Sequence, residues 1–226
     1  MEHIPIKRTP TGIHIDGVPD AINLVQIDDA KARQAADLML HTKDLDFSLS
    51  CLEELRSVSA GQATIRQALW RFAVVHFVKC FTGSSARVRL SYERIYKDEK
   101  LREAYTYIKN LRDKHLVHDE SSYGQCIAGA AINNGKKPFN VEKIVCVSLL
   151  VETLDDNSAN MLHELVSLAR LWVGREYDDL CNSITADLEK EPYEALVNRT
   201  PASITPPTAD DLKRRRAVLG RQPRRR

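Results

Sequence analysis

The chain has no apolar run approaching the roughly 20 residues needed to cross a bilayer, which argues against a transmembrane protein. No apolar stretch follows the opening Met1–Arg8, so no secretory leader is expected. Glycine is scarce, nine in 226 residues, and leaves little for loops that cradle phosphate. Neither G-x-x-x-x-G-K-[ST] nor G-x-G-x-x-G occurs, and the G-x-S-x-G elbow and H-E-x-x-H pair are also missing. These gaps argue against P-loop, dinucleotide-binding, serine-hydrolase and zincin chemistry. The five cysteines (Cys51, Cys80, Cys126, Cys146, Cys181) form no C-x-x-C pair, and their number is odd. A zinc ribbon or disulfide framework is therefore not expected, and a reducing cytoplasm is the simplest home. No internal repeat is evident, and no metal-ligand cluster or cofactor motif stands out.

What is present suits one globular domain with appendages. Apolar residues make up 43% of the chain and charged residues 28%, enough for a sizeable core. The net charge of +2 hides an asymmetry. From Arg199 onward nine basic residues face only Asp210 and Asp211, a local +7 that leaves −5 for residues 1–198. This tail also holds four prolines (Pro201, Pro206, Pro207, Pro223) and few apolar groups. Residues 199–226 therefore read as a disordered arginine-rich tail. Arg214, Arg215 and Arg216 are candidate phosphate contacts, with a solubilising role as the alternative. Residues 1–27, broken by proline and glycine, read as an N-terminal arm in which Ile13–Ile15 alternates like a strand.

Between these ends, residues 28–198 read as a helical domain. Asp28 and Asp29 stand where an N-cap belongs. Ala35, Leu38, Thr42, Leu45, Leu49 and Leu52 then step by three and four, the seam of a helix continuing to about Ser57. A second helix is expected from Gln62 to Phe81, apolar nearly all round and so central. His76 within it reads as a structural histidine with a hydrogen-bond partner. Arg87–Tyr96 reads as a helical turn or linker. Asp98 opens a third helix reaching about Val117. Residues 123–154 change character: Cys126–Ala128 and Ile144–Leu149 are strand-like, and Asn133-Asn134-Gly135 between them signals a hairpin turn. A last helix is expected over residues 158–190, with Pro192 at or past its end. The fold class is thus all-α dominated: an antiparallel bundle of about four long helices, with a small β-hairpin between the third and fourth.

One segment breaks the pattern of its helix. Leu101, Ala104, Tyr105, Ile108 and Leu111 define the inward face of the third helix. The same stepping then lands on Arg112, His115 and His118 or Asp119. A cation on a face that packs inward needs a partner or a function. Pairing of Arg112 with an acid, and helix capping by the histidines, would satisfy the first alternative.

The string Arg112-Asp113-Lys114-His115-Leu116-Val117-His118 resembles the signature of the HEPN superfamily. That signature is an arginine, a following Asn, Asp or His, and a histidine a few residues on. Leu69-Trp70-Arg71 with Cys80-Phe81 is similar to the helix preceding this motif in an abortive-infection branch of HEPN toxins. The resemblance covers roughly residues 28–190, in helix order as well as motif. It implies a metal-independent endoribonuclease, a phage-defence or toxin effector with no cofactor, cutting RNA by attack of the ribose 2′-hydroxyl. It implies catalytic roles for Arg112, Asp113 and His118. Arg112 would stabilise phosphorane charge, His118 would act as acid or base, and Asp113 would orient Arg112. His115 is either a second acid–base group or structural, and Lys114 is a candidate RNA contact. The resemblance further implies a two-fold dimer bringing two motif-bearing helix ends together, with an antitoxin or other defence protein as a further partner. A non-catalytic HEPN-like module binding RNA, nucleotide or a protein partner is the alternative.

Overall fold

A computed structural model describes residues 6–9, 12–15, 17–83, 87–118, 120–203 and 206–213. The described chain is dominated by helix. Two hairpins, β1 (Ile6–Thr9) with β2 (Gly12–Ile15) and β3 (Gly124–Ile132) with β4 (Val141–Leu150), form separate two-stranded antiparallel sheets. The helices are α1 (Ala30–Ser57), α2 (Ala63–Lys79), α3 (Tyr92–Ile95), α4 (Glu99–Leu111), α5 (Asp156–Leu188) and α6 (Tyr193–Val197). The four long ones, α1, α2, α4 and α5, fall where the hydrophobic periodicity places them, and β3–β4 lies between the third and fourth of these. The arginines Arg214, Arg215 and Arg216, and Asp119, lie outside the described residues.

The chain divides into two compact units, residues 1–43, 82–90 and 170–226, and residues 44–81 and 91–169. In the first unit, the Asp29 carboxylate accepts from Ala32 N at 2.7 Å and caps α1. One turn apart on α1, Asp37 and His41 hold the backbone of Val88 on both sides. Asp37 Oδ2 accepts from Val88 N at 2.9 Å, and His41 Nε2 donates to Val88 O at 2.7 Å. This clamp explains two buried polar groups in a helix seam, and it fixes a segment that periodicity left as a turn or linker. Composition assigned residues 200–202 to the tail, but they pair with the chain before α1. Gln26 N donates to Thr200 O at 2.8 Å and Ala202 N to Leu24 O at 2.7 Å.

The second unit holds most of the large buried side chains. From α2 come Trp70, Val74, Phe77 and Val78, from α1 Leu45 and Leu52, from α4 Ile108, and from α5 Leu162, Leu165 and Val166. Trp70 Nε1 donates to Thr153 Oγ1 at 3.1 Å and Tyr96 Oη to Leu165 O at 2.8 Å, so the polar tips of two buried aromatics are satisfied. His76 has the expected partner: its Nδ1 lies 2.9 Å from Asp44 Oδ1, which also accepts from Lys79 Nζ at 2.9 Å.

The second helix departs from the expected burial on all sides: it is not covered all round, since Ile65 and Phe72 are 47% and 55% exposed. Thr64, Gln67 and Arg71 line one open groove with Phe72. Apolar count alone overstated burial there.

Candidate functional site

Helix α4 positions the Arg112–His118 segment. The Asp98 side chain accepts from Lys100 N at 2.8 Å and starts the helix. Tyr105, Ile108 and Leu111 then face inward, one helical step after another. Tyr105 packs within an aromatic group, stacked on Tyr92 at 4.6 Å between centroids and tilted against Phe81 at 4.9 Å. Phe81 and the buried Cys80, just past the end of α2, serve this core. Burial pushes the Tyr105 hydroxyl well above its ordinary range. Tyr92, Asp113 and Glu93 push the same way, and Arg112 opposes them.

At Arg112 the winding changes. Residues Arg112–Leu116 form a π-helical turn, closed by Val117 N donating to Arg112 O at 3.0 Å. Such wide turns are rare and occur frequently at functional sites. The extra residue in the turn breaks the three-and-four stepping, and so it separates residues that the periodicity set on one stripe. Arg112 is partly buried, with Nη1 2.7 Å from Asp113 Oδ1. The other carboxylate oxygen, Asp113 Oδ2, accepts from Lys109 Nζ at 2.7 Å. One acid thus sits between two cations. His115 turns to the other side of the helix end and meets the Tyr123 ring edge-on at 5.5 Å. Lys114 and His118 are exposed, His118 just past the turn.

His115 and Lys114 line a pocket of about 180 Å³ together with Tyr107, Asn110, Leu111, Ser121 and Tyr123. Arg112 and His118 are not among its walls, so the structure splits the candidate residues into two groups. Arg112 and Asp113 sit toward Tyr105, and Lys114 and His115 sit in the pocket. Tyr107, Asn110 and Tyr123 were not singled out from sequence. The first two step by three and four toward Lys114 and could have been found that way. Tyr123 comes from the approach to β3 and carried no such signal. Burial raises the Tyr107 hydroxyl above its ordinary range, with Tyr123 and Asp155 adding to the effect. Among the described residues, no three of His, Cys, Asp or Glu gather in a way that could hold a metal ion.

No protein-family model matches the chain, and no curated protein or solved structure does.

Proposed function

We propose that the chain is an antiparallel four-helix bundle of HEPN type and a metal-independent endoribonuclease of phage defence, working in the cytoplasm as a homodimer. The observation that carries this reading is the π-turn at the end of α4, which holds the Arg112–Asp113 ion pair and leaves His118 exposed just beyond it. In the reaction, the ribose 2′-oxygen bonds to phosphorus and the bond from phosphorus to the 5′-oxygen breaks. A histidine takes the 2′-hydroxyl proton, and a protonated group supplies one to the leaving oxygen. His118, exposed just past the turn, offers an imidazole, a side chain that suits either task. Arg112 steadies the charge that grows on the non-bridging oxygens, held in place by Asp113. Lys114 and the basic residues Arg214, Arg215 and Arg216 add non-specific attraction to phosphate.

The test is incubation of the purified protein with mixed RNA in excess chelator. Cleavage leaving 2′,3′-cyclic phosphate ends, with DNA spared, is the expected result. One contact favours the alternative of a non-catalytic binding module: the Arg112 guanidinium is already engaged by Asp113 at 2.7 Å. A phosphate must compete with that carboxylate. RNA bound but never cut, across a broad panel of sequences, would establish the alternative.

A further inference from the structure

The hairpin β3–β4 inverts the usual placement of apolar residues. Every residue of β4 is exposed, and in β3 only Gly124 and Gly129 are partly covered. Ile144 and Val147, on opposite faces, are 62% and 61% exposed, and Leu150 is 75% exposed. The run Ile144–Val151 has no charged residue. A continuous apolar run of this kind is the pattern of a strand covered on both faces. Among the described residues neither edge gains a third strand, and a lone two-stranded hairpin is marginal in water. The hairpin is built to be covered, and among the described residues both its strands stay largely exposed.

We propose that a second copy of this chain covers it, the two hairpins packing together end for end across a two-fold axis. Two observations select this occupant. Ten Ile, Val, Leu and Phe residues between Ile127 and Val151 are each 38–75% exposed. Two such surfaces packed together are on the scale of the roughly 1,000 Å² that marks a specific interface. The hairpin is also charged oppositely at its two ends. Its tip, the loop Asn133–Asn140, carries Lys136 and Lys137. Its base is flanked by exposed Glu120, Glu152, Asp155 and Asp156. Lys137 already reaches Glu142 at 2.7 Å, and Asp155 caps α5 through Ser158 N at 2.7 Å, so Lys136 and Glu152 are the pair to probe. An end-for-end arrangement lays each basic tip along the partner's acidic base, whereas a side-by-side one crowds the lysines of both tips together.

The geometry has a consequence for the Arg112–His118 segment, which lies near the base of the hairpin through Tyr123, whose carbonyl accepts from Val151 N at 2.8 Å. Nine paired positions span roughly 30 Å. The two segments then stand about that far apart, in place of the end-to-end site that the HEPN resemblance implies.

The test is the solution mass of the full chain by light scattering and sedimentation equilibrium, which reads independently of any RNA activity. Wild type is expected to be a dimer at micromolar concentration. Ile144→Lys with Val147→Lys puts a charge on each face and is expected to weaken the dimer by at least about a hundredfold. Both positions are exposed within one chain, so helical circular dichroism should not change. Phe72→Glu, on the open face of α2, should leave the dimer intact. Lys136→Glu should weaken it several-fold at low salt, and adding Glu152→Lys in the same chain should restore it. A monomeric wild type overturns the proposal, including one that floats with phosphatidylcholine vesicles. A dimer that survives Ile144→Lys with Val147→Lys, or one that Phe72→Glu dissociates instead, also overturns it. Failure of Glu152→Lys to restore the dimer overturns the end-for-end arrangement.

Discussion

Helix α4 and the hairpin β3–β4 lie in the same compact unit, are both rich in apolar residues, and use them in opposite ways. In α4 the apolar side chains recur with the helical period, so Tyr105, Ile108 and Leu111 go inside while Lys100, Arg102 and Glu103 stay in water. In the hairpin the apolar residues follow one another without alternation, so no single face can be turned inward. The contrast teaches that apolar content alone does not make a core. A segment commits to an inside only when its pattern has the period of its own backbone. Where the pattern is apolar on both sides, turning one face inward still leaves the other in water.

The largest effect separating the two regions should come from truncating the core. Trp70→Ala, at a residue wholly shielded from solvent, is expected to cost about 3–5 kcal/mol by urea denaturation. Ile127→Ala in the hairpin should stay within about 0.5 kcal/mol when measured in a monomeric chain. If the two costs are equal, the hairpin is packed within one chain and the contrast fails.

Next comes the helix end where the inward stripe of α4 turns polar. His118→Ala and Arg112→Ala should each lower RNA cleavage by roughly a hundredfold or more. Arg112→Ala should also weaken binding, His118→Ala should leave it mostly intact, and His115→Ala should be milder on rate. A His118→Ala variant that cuts as fast as wild type removes the motif assignment. Circular dichroism must show each variant folded.

A smaller effect tests the cap that restarts helix after the hairpin. Asp155 accepts from Ser158 N and Ser158 Oγ, and these bonds hold its carboxyl below the ordinary range. Asp155→Ala is expected to cost about 1 kcal/mol in thermal or urea unfolding. The smallest effect lies in the other unit. Asp187 bridges Lys190 at 2.8 Å and Lys31 at 2.6 Å, and these two lysines hold its pKa down to about 2. Its contribution is complete above the ordinary carboxylate pKa near 4 and is lost as pH falls toward 2. Asp187→Asn should therefore lower the melting temperature slightly at neutral pH, flatten the acid limb of the curve and converge with wild type toward pH 2. Full exposure keeps the effect small.

Much of the fold was legible beforehand, because helix periods and caps are local properties. The stripe Leu162–Ile184 marked α5, Asp29 marked the start of α1, and the two apolar strands around Asn133-Asn134-Gly135 marked the hairpin. The candidate site was legible as a string of residues but not as an arrangement. Stepping by three and four set His115 and His118 on one inward face with Arg112. The wide turn at Arg112–Leu116 instead turned His115 toward Tyr123 and left His118 in solvent.

The sequence by itself determined where the long helices run, because each amphipathic stripe and cap acts over a few residues. It also determined that the end of α4 would be cationic. Only the tertiary structure decided which polar groups are used inside, since Asp37 and His41 find Val88 across about fifty residues of chain, a separation no periodicity records. It decided the pairing of residues 24–26 with 200–202 for the same reason. It also decided that the open face of α2 and both faces of β3–β4 stay in water. Burial depends on what the rest of the chain can bring against a surface, and among the described residues the hairpin's faces stay largely exposed.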